Sequence, residues 1–164
     1  MTSGFSVPGA LALGHDFTGF DCGEPELNDW LKRRALANQV SGASRTFVVT
    51  DGGLRVMGFY ALAAGAVAHR DATGAVRRNM PEPIPVVVLA RLAVDRNAQG
   101  VKLGAALLKD AVQRSIAVAQ NTGVRALLVH VLNDAAKAFY EHYGFAASPT
   151  HAMTLMVRLP ASSK

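Results

Sequence analysis

The 164-residue sequence predicts an α/β protein built on a mixed central β-sheet with flanking helices. Two observations carry that expectation. Val86 to Val94, interrupted by Arg91, and Ala126 to Val131, apolar but for His130, read as strands covered on both faces, and a stretch of helical period joins them. Thr46-Phe47-Val48-Val49 and Met57 to Leu62 are β-type runs separated by Asp51-Gly52-Gly53, the turn chemistry of a hairpin. Strand, helix and strand of these lengths close as a right-handed βαβ unit, so the two apolar strands are expected to be parallel and the hairpin antiparallel.

The remaining elements follow in chain order. Pro8 to Leu13 is short and apolar and reads as an edge strand. Asp21-Cys22-Gly23-Glu24-Pro25-Glu26 is a helix start, with acidic residues and a proline where the first turn accepts them. That helix carries Leu27, Trp30, Leu31, Arg34 and Ala35, and Lys32, Arg33 and Arg34 stand in succession on it. Ala61 to His69 prolongs the second hairpin strand with small residues, which leave room beside the sheet for a neighbour or ligand. Asp71 to Pro85 contains Gly74, Arg77, Arg78 and prolines at 81, 83 and 85, and reads as a basic loop without regular structure.

After the apolar strand, residues 103, 104, 107, 108, 111, 112, 115 and 119 make one apolar or small stripe, opposite Lys102, Lys109, Gln113 and Gln120. Asn121-Thr122-Gly123 ends this helix. Asn133-Asp134 caps another, in which Phe139 and Tyr143 share one face and Asn133, Ala136 and Tyr140 a second. Gly144 suits the left-handed position after that helix, with Phe145 folding back. Met153 to Leu159 closes the sheet.

The length suits one domain, 1–164, with a substantial core, and a chain half apolar is not a disordered one. A net charge of +5 and a pI near 9.8 favour an anionic partner. The single cysteine, Cys22, excludes an intramolecular disulfide and a cysteine metal cluster, and no metal is expected. No apolar segment approaches the roughly 18 to 20 residues that span a bilayer, and Met1 to Leu13 lacks the pattern of a signal peptide. The expectation is a cytoplasmic protein without a membrane partner.

The chemistry converges on Val86 to Ala119, where a strand feeds through a glycine turn into a helix N-terminus. That arrangement aims unpaired backbone N–H groups and the positive end of a helix dipole at one point, a site for phosphate. A Walker-type loop is absent, because Gly-x4-Gly-Lys-Ser/Thr is not matched. The dinucleotide fingerprint fails as well, since only Gly100 and Gly104 are present, late in the chain.

Gln99-Gly100-Val101-Lys102-Leu103-Gly104 resembles the acyl-CoA loop of the GNAT-type N-acetyltransferases, Gln/Arg-x-x-Gly-x-Gly/Ala, with Lys102 in place of the intervening glycine. The resemblance extends through Phe20-Asp21-Cys22-Gly23, Leu27 to Leu31, Arg77-Arg78-Asn79-Met80-Pro81, Arg91-Leu92-Ala93-Val94-Asp95 and Ala138 to Phe145. Together these segments look like the GNAT toxins of bacterial type II toxin–antitoxin systems, which acetylate the α-amino group of aminoacyl-tRNA and stop translation.

The resemblance implies the GNAT fold, with a splay between the two parallel strands, and acetyl-CoA as co-substrate. It implies that Leu92, Ala93 and Val94 pair their main chain with the pantetheine arm, and that Gln99, Gly100, Val101, Lys102, Leu103, Gly104 and Ala105 surround the pyrophosphate. Lys102 removes backbone freedom from that turn and adds a cation. Asn133 is either a helix cap alone or a contact to the CoA arm. A ribbon-helix-helix antitoxin that binds operator DNA, and a homodimer, are implied in the same way.

Tyr140, which the resemblance places beside the thioester sulfur, is the candidate catalytic residue. Attack of an amine on a thioester expels a thiolate, and a phenol of pKa near 10 carries a proton for it at neutral pH. Tyr143 is expected to be the core-packed tyrosine of the pair. Glu82, Glu141, His69 and His130 fall in no pattern that specifies a general base. An aminoacyl α-amino group explains the lack, because it titrates near 7.7 to 8.0 or lower, whereas a lysine amine near 10.4 needs deprotonation. Lys32, Arg33, Arg34, Arg45, Arg77 and Arg78 are the candidate tRNA-binding residues. Arg91 is expected to be an ion-pair partner inside the sheet. The competing readings are acetylation of a protein N-terminus or small amine, and a non-catalytic nucleic-acid-binding regulator.

Overall fold

The computed structural model describes residues 4–160, so the first three residues of the Met1 to Leu13 segment lie outside it. The elements are β1 (Gly9–Ala10), α1 (Pro25–Trp30), a π-helical turn (Leu31–Ala35), α2 (Leu36–Ser41), β2 (Arg45–Thr50), β3 (Val56–Val67), α3 (Gly74–Arg77), β4 (Ile84–Val94), α4 (Leu103–Asn121), β5 (Ala126–His130), α5 (Asp134–His142), β6 (Ala146–Ala147) and β7 (Thr154–Arg158). The strand order is β1-β2-β3-β4-β5-β7-β6. The chain forms two compact units, one ending its first segment at Ala63 and adding Ala90–Ala111, the other taking Ala64–Leu89 and the chain from Val112 onward.

In the first unit β2 and β3 form the expected antiparallel hairpin, with Phe47 opposite Tyr60 and a bulge between Val49 and Thr50. Strand alternation puts Phe59 on one face, where it stacks on Trp30 with ring centroids 6.0 Å apart and meets Phe20 edge-on at 5.5 Å. Leu31, Ala35, Val48, Val56 and Ala93 complete that core. Gly58 points to the other face, where a Cβ would stand 3.0 Å from a Leu107 methyl carbon, so glycine lets the first turns of α4 lie close to the strand.

In the second unit β4 and β5 are parallel, in register from Val86–Ala126 to Leu89–Val129. The ladder ends there, while β4 runs on to Val94. β7 pairs antiparallel with β5, and the two-residue β6, which local pattern does not signal, pairs on its far side. The sheet therefore ends on β6 rather than on the strand at 153 to 159.

One further expectation is corrected. The segment 71–85 is not uniformly irregular: Thr73 accepts the Val76 amide through its hydroxyl and starts the four-residue α3, and β4 already begins at Ile84 with Pro85 inside it. Proline is tolerated at this strand end, and its carbonyl accepts the Arg125 N–H at 2.9 Å. Of the room that the small residues of β3 leave, the part at Gly65 is taken by a neighbour, since a Cβ there would lie 2.7 Å from a Val88 methyl carbon.

Candidate active site

The phosphate-type turn is held by side chains that read nothing but backbone. Asp95, 1% exposed, accepts the Asn97 amide at 2.9 Å and the Asp21 amide at 3.0 Å, so its buried carboxylate is fully engaged. Gln99 donates from Nε2 to the carbonyls of Val94 (3.0 Å) and Cys22 (3.2 Å), tying the turn to the end of β4 and to the segment before α1. The chain then passes through left-handed backbone at Gly100 (φ 84°) and at Lys102 (φ 64°). α4 begins at Leu103, so Lys102 precedes the helix rather than lying on its polar face, and its carbonyl accepts the first helical bond, from Ala106.

The amides of Leu103, Gly104 and Ala105 consequently have no intrahelical acceptor and sit at the positive end of a 19-residue helix. Lys102 occupies the conformation for which glycine is suited, which explains why the GNAT loop pattern places a glycine at this position. The lysine is exposed, one residue before the first of these amides. Of the expected pantetheine strand, Ala93 is packed in the core and Leu92 and Val94 are half-buried. Donor amides, a cation and an open strand segment within one unit suit an anionic, amide-bearing ligand of the acyl-CoA type.

In the second unit, Asn133 accepts the Ala136 amide at 2.8 Å and is a true N-cap of α5. Gly144 (φ 94°) ends the helix, and the Phe145 amide bonds back to the Tyr140 carbonyl. The two tyrosines are placed opposite to expectation: Tyr140 is 6% exposed and Tyr143 is 46% exposed. Tyr140 lies between Phe139 and Phe145, edge-on to both at 5.1 and 5.3 Å, and the Gly144 turn folds Phe145 onto it. Burial pushes its phenol well above the ordinary value near 10. The hydroxyl therefore holds its proton throughout the neutral range.

Among the four candidate bases, His69 shares Nε2 with the carbonyls of Met80 and Pro81 at 2.7 and 3.0 Å, which makes that nitrogen a donor. Glu82 accepts the His69 backbone amide, and His130 contacts the Thr154 hydroxyl at 2.9 Å. Glu141 is exposed. Cys22 is half-buried, and burial raises its thiol pKa, so it is a poor nucleophile. No group of His, Cys, Asp or Glu among the described residues could hold a metal.

The cations are distributed over both units. Lys32, Arg33 and Arg34 are exposed on the π-helical turn, between the buried Leu31 and Ala35. Arg45 donates to the Gln39 carbonyl at 2.8 Å. Arg77 and Arg78 are exposed at the end of α3. Sequence reasoning missed what holds them: Arg125 donates from Nε to the Val76 carbonyl (3.0 Å) and from Nη2 to those of Ala75 (3.2 Å) and Arg78 (3.1 Å). It serves as a side-chain cap on α3, and no local pattern around Arg125 announces a contact 47 to 50 residues away. Arg91 is not in an ion pair among the described residues; its guanidinium lies over the Trp30 ring, 5.2 Å from the centroid.

The helix-terminal turn and the strand before it suit an acyl-CoA-dependent acyltransferase. A family model described as an acetyltransferase (GNAT) domain matches residues 42–147, and the chain belongs to that family. Over 155 residues it is 55% identical to the tRNA-acetylating toxin of Mycobacterium tuberculosis (strain ATCC 25618 / H37Rv), covering 94% of this chain and 93% of that one. The solved structure of AtaT complexed with acetyl-methionyl-tRNAfMet superposes with a TM-score of 0.87 at 25% identity, covering 94% of each chain. A mutant AtaT toxin bound to acetyl-CoA and the C-terminus of the antitoxin AtaR gives 0.81 at 25% identity, covering 95% of this chain and 94% of that one. No helix among the described residues is long and apolar enough to cross a membrane.

Proposed function

We propose that this protein is a toxin that transfers an acetyl group from acetyl-CoA to the α-amino group of aminoacyl-tRNA and thereby blocks translation. The observation that carries the reading is 55% identity, over 94% of the chain, to a protein named as a tRNA-acetylating toxin. The phosphate-type turn at 99–105 supports the co-substrate.

In this reading the amides of Gln99 to Ala105 and the Lys102 ammonium bind the pyrophosphate, and the main chain of Leu92 to Val94 pairs with the pantetheine amides. Asn133 serves as a cap through Oδ1, which leaves its Nδ2 for the CoA arm. The amine nitrogen attacks the thioester carbonyl, the carbon–sulfur bond breaks, the departing thiolate takes the proton of Tyr140, and the proton that the amine releases to water restores the phenol. With its pKa raised, Tyr140 acts as hydrogen-bond donor to the developing sulfur charge before it acts as acid. A neutral fraction of α-amino group is abundant near pH 8, so the engaged states of His69 and Glu82 are no handicap.

Lys32, Arg33, Arg34, Arg45, Arg77 and Arg78 supply tRNA phosphate contacts, and residues 1–164 act as one acetyltransferase domain in the cytoplasm. A ribbon-helix-helix antitoxin, with operator DNA bound through it, and a homodimer complete the assignment; the AtaT complex with the C-terminus of AtaR supports an antitoxin partner. Incubation with labelled acetyl-CoA tests the reading. Label is expected on a charged tRNA pool and hardly at all on lysine peptides, and the reverse preference overturns it.

A further inference from the structure

Among the described residues, Arg91 is a cation with an aromatic platform and no acid partner. It lies half-buried on β4, directly before Leu92. Its guanidinium covers Trp30, and Trp30 in turn is stacked at an interplanar angle of 10° on the fully buried Phe59, so the surface beneath the charge is rigid. Nη1 donates to the neighbouring Ala90 carbonyl at 2.8 Å, and no carboxylate pairs with the group among the described residues. A guanidinium carries five N–H donors in a planar fork that matches two oxygens of a phosphate. Partial burial without an acid is costly, and the aromatic face offsets only part of that cost while holding the fork flat.

The direction of the fork follows from strand alternation. Arg91 and Ala93 share a face, and Ala93 packs with Leu31 and Phe59 on the α1 side. Gly58 and the first turns of α4 lie on the opposite face. The guanidinium is thus turned away from the helix whose N-terminus suits the CoA pyrophosphate, yet it is adjacent in sequence to the strand segment assigned to the thioester arm.

We infer that Arg91, seated on Trp30, binds the phosphodiester nearest the aminoacyl end of the tRNA. This assignment rests on the aminoacyl-tRNA reading above. One nucleoside separates that phosphate from the reacting ester, so gripping it places the amine beside Leu92 to Val94.

The test compares three acceptors with the full chain: aminoacyl-tRNA, an aminoacyl-cytidylyl-adenosine that keeps the phosphodiester, and an aminoacyl-adenosine that lacks it. With wild-type protein the phosphate-bearing dinucleotide is expected to exceed the nucleoside at least tenfold in kcat/KM. Arg91→Ala is expected to abolish that preference, lowering kcat/KM at least tenfold on the two phosphate-bearing acceptors and leaving the nucleoside and the acetyl-CoA KM unchanged. Arg91→Gln, which keeps the stem on Trp30 without the charge, gives the same pattern and stands in if the alanine variant does not fold. Equal losses on all three acceptors, or a raised acetyl-CoA KM, would overturn the assignment to tRNA phosphate. A wild-type protein that acetylates none of them, but acetylates a protein N-terminus, would overturn the acceptor reading itself and the Arg91 assignment with it.

Discussion

Replacement of Lys102 by glycine separates two effects that meet in one residue. The backbone at Lys102 is left-handed (φ 64°), a conformation that costs a residue with a Cβ about 1–2 kcal/mol. Glycine removes that cost but loses more freedom on folding, about 0.5–1 kcal/mol, so the net stabilisation is about 0.5–1 kcal/mol. For a chain of this length that corresponds to a rise in Tm of about 1–4 °C. Lys102→Ala keeps the strain and should melt near the wild type. The charge behaves differently, because either replacement removes a cation from the turn. At about 4 Å in a water-like dielectric such a charge contributes about 1 kcal/mol, so both variants are expected to raise the acetyl-CoA KM about fivefold. Thermal unfolding and acetyl-CoA titration read the two effects independently. A glycine variant that melts no higher than the alanine variant refutes the strain argument. An unchanged KM in both refutes the phosphate contact.

Tyr140→Phe is expected to lower kcat about 10²–10⁴-fold with both KM values nearly unchanged, and near-wild-type turnover would remove the tyrosine from the chemistry. The same burial makes an alkaline prediction: with the folded pKa above the ordinary value near 10, the contribution to stability is complete below about pH 10 and is lost as pH rises toward the folded value. Denaturant unfolding should therefore show a shallower loss above pH 10 in Tyr140→Phe than in wild type. Gly65→Ala would set a Cβ 2.7 Å from a branched Val88 methyl and should destabilise by about 1–3 kcal/mol in urea unfolding; a neutral result would mean that the two strands part easily. Arg125→Ala strips three carbonyls of their donor and should cost about 1–2 kcal/mol, with faster hydrogen exchange confined to residues 74–80. Charge reversal at Arg77 and Arg78 should raise the tRNA KM and flatten its salt dependence while leaving acetyl-CoA binding alone, a split that urea unfolding would show to be independent of stability.

The secondary structure was readable in the sequence wherever the signal is local. The parallel pair came from two largely apolar runs, the hairpin from Asp51-Gly52-Gly53, and α5 from Asn133 and Gly144 at its ends; each is decided by periodicity, capping or positive φ within a few residues. The short α3 and β6 escaped, because a four-residue helix capped from Arg125 and a two-residue strand held by β7 owe their existence to partners far along the chain. The same division holds in the site. The strand–turn–helix pattern marked the phosphate-type turn and the family resemblance offered Tyr140, but helical spacing alone allows either Tyr140 or Tyr143 to face inward, and only the packing of Phe139 and Phe145 around one ring decides.

What the sequence by itself determined, then, is the order of the longer elements, the glycine turn into a helix N-terminus and the family resemblance, since all three are written in local spacing along the chain. What the tertiary structure decided is the state of particular side chains: Lys102 in a glycine's conformation, Tyr140 buried with its proton held, Arg91 laid on Trp30 instead of against an acid, and Arg125 holding α3. These depend on burial and on neighbours brought together from distant segments, and a local pattern carries no information about which neighbours those are.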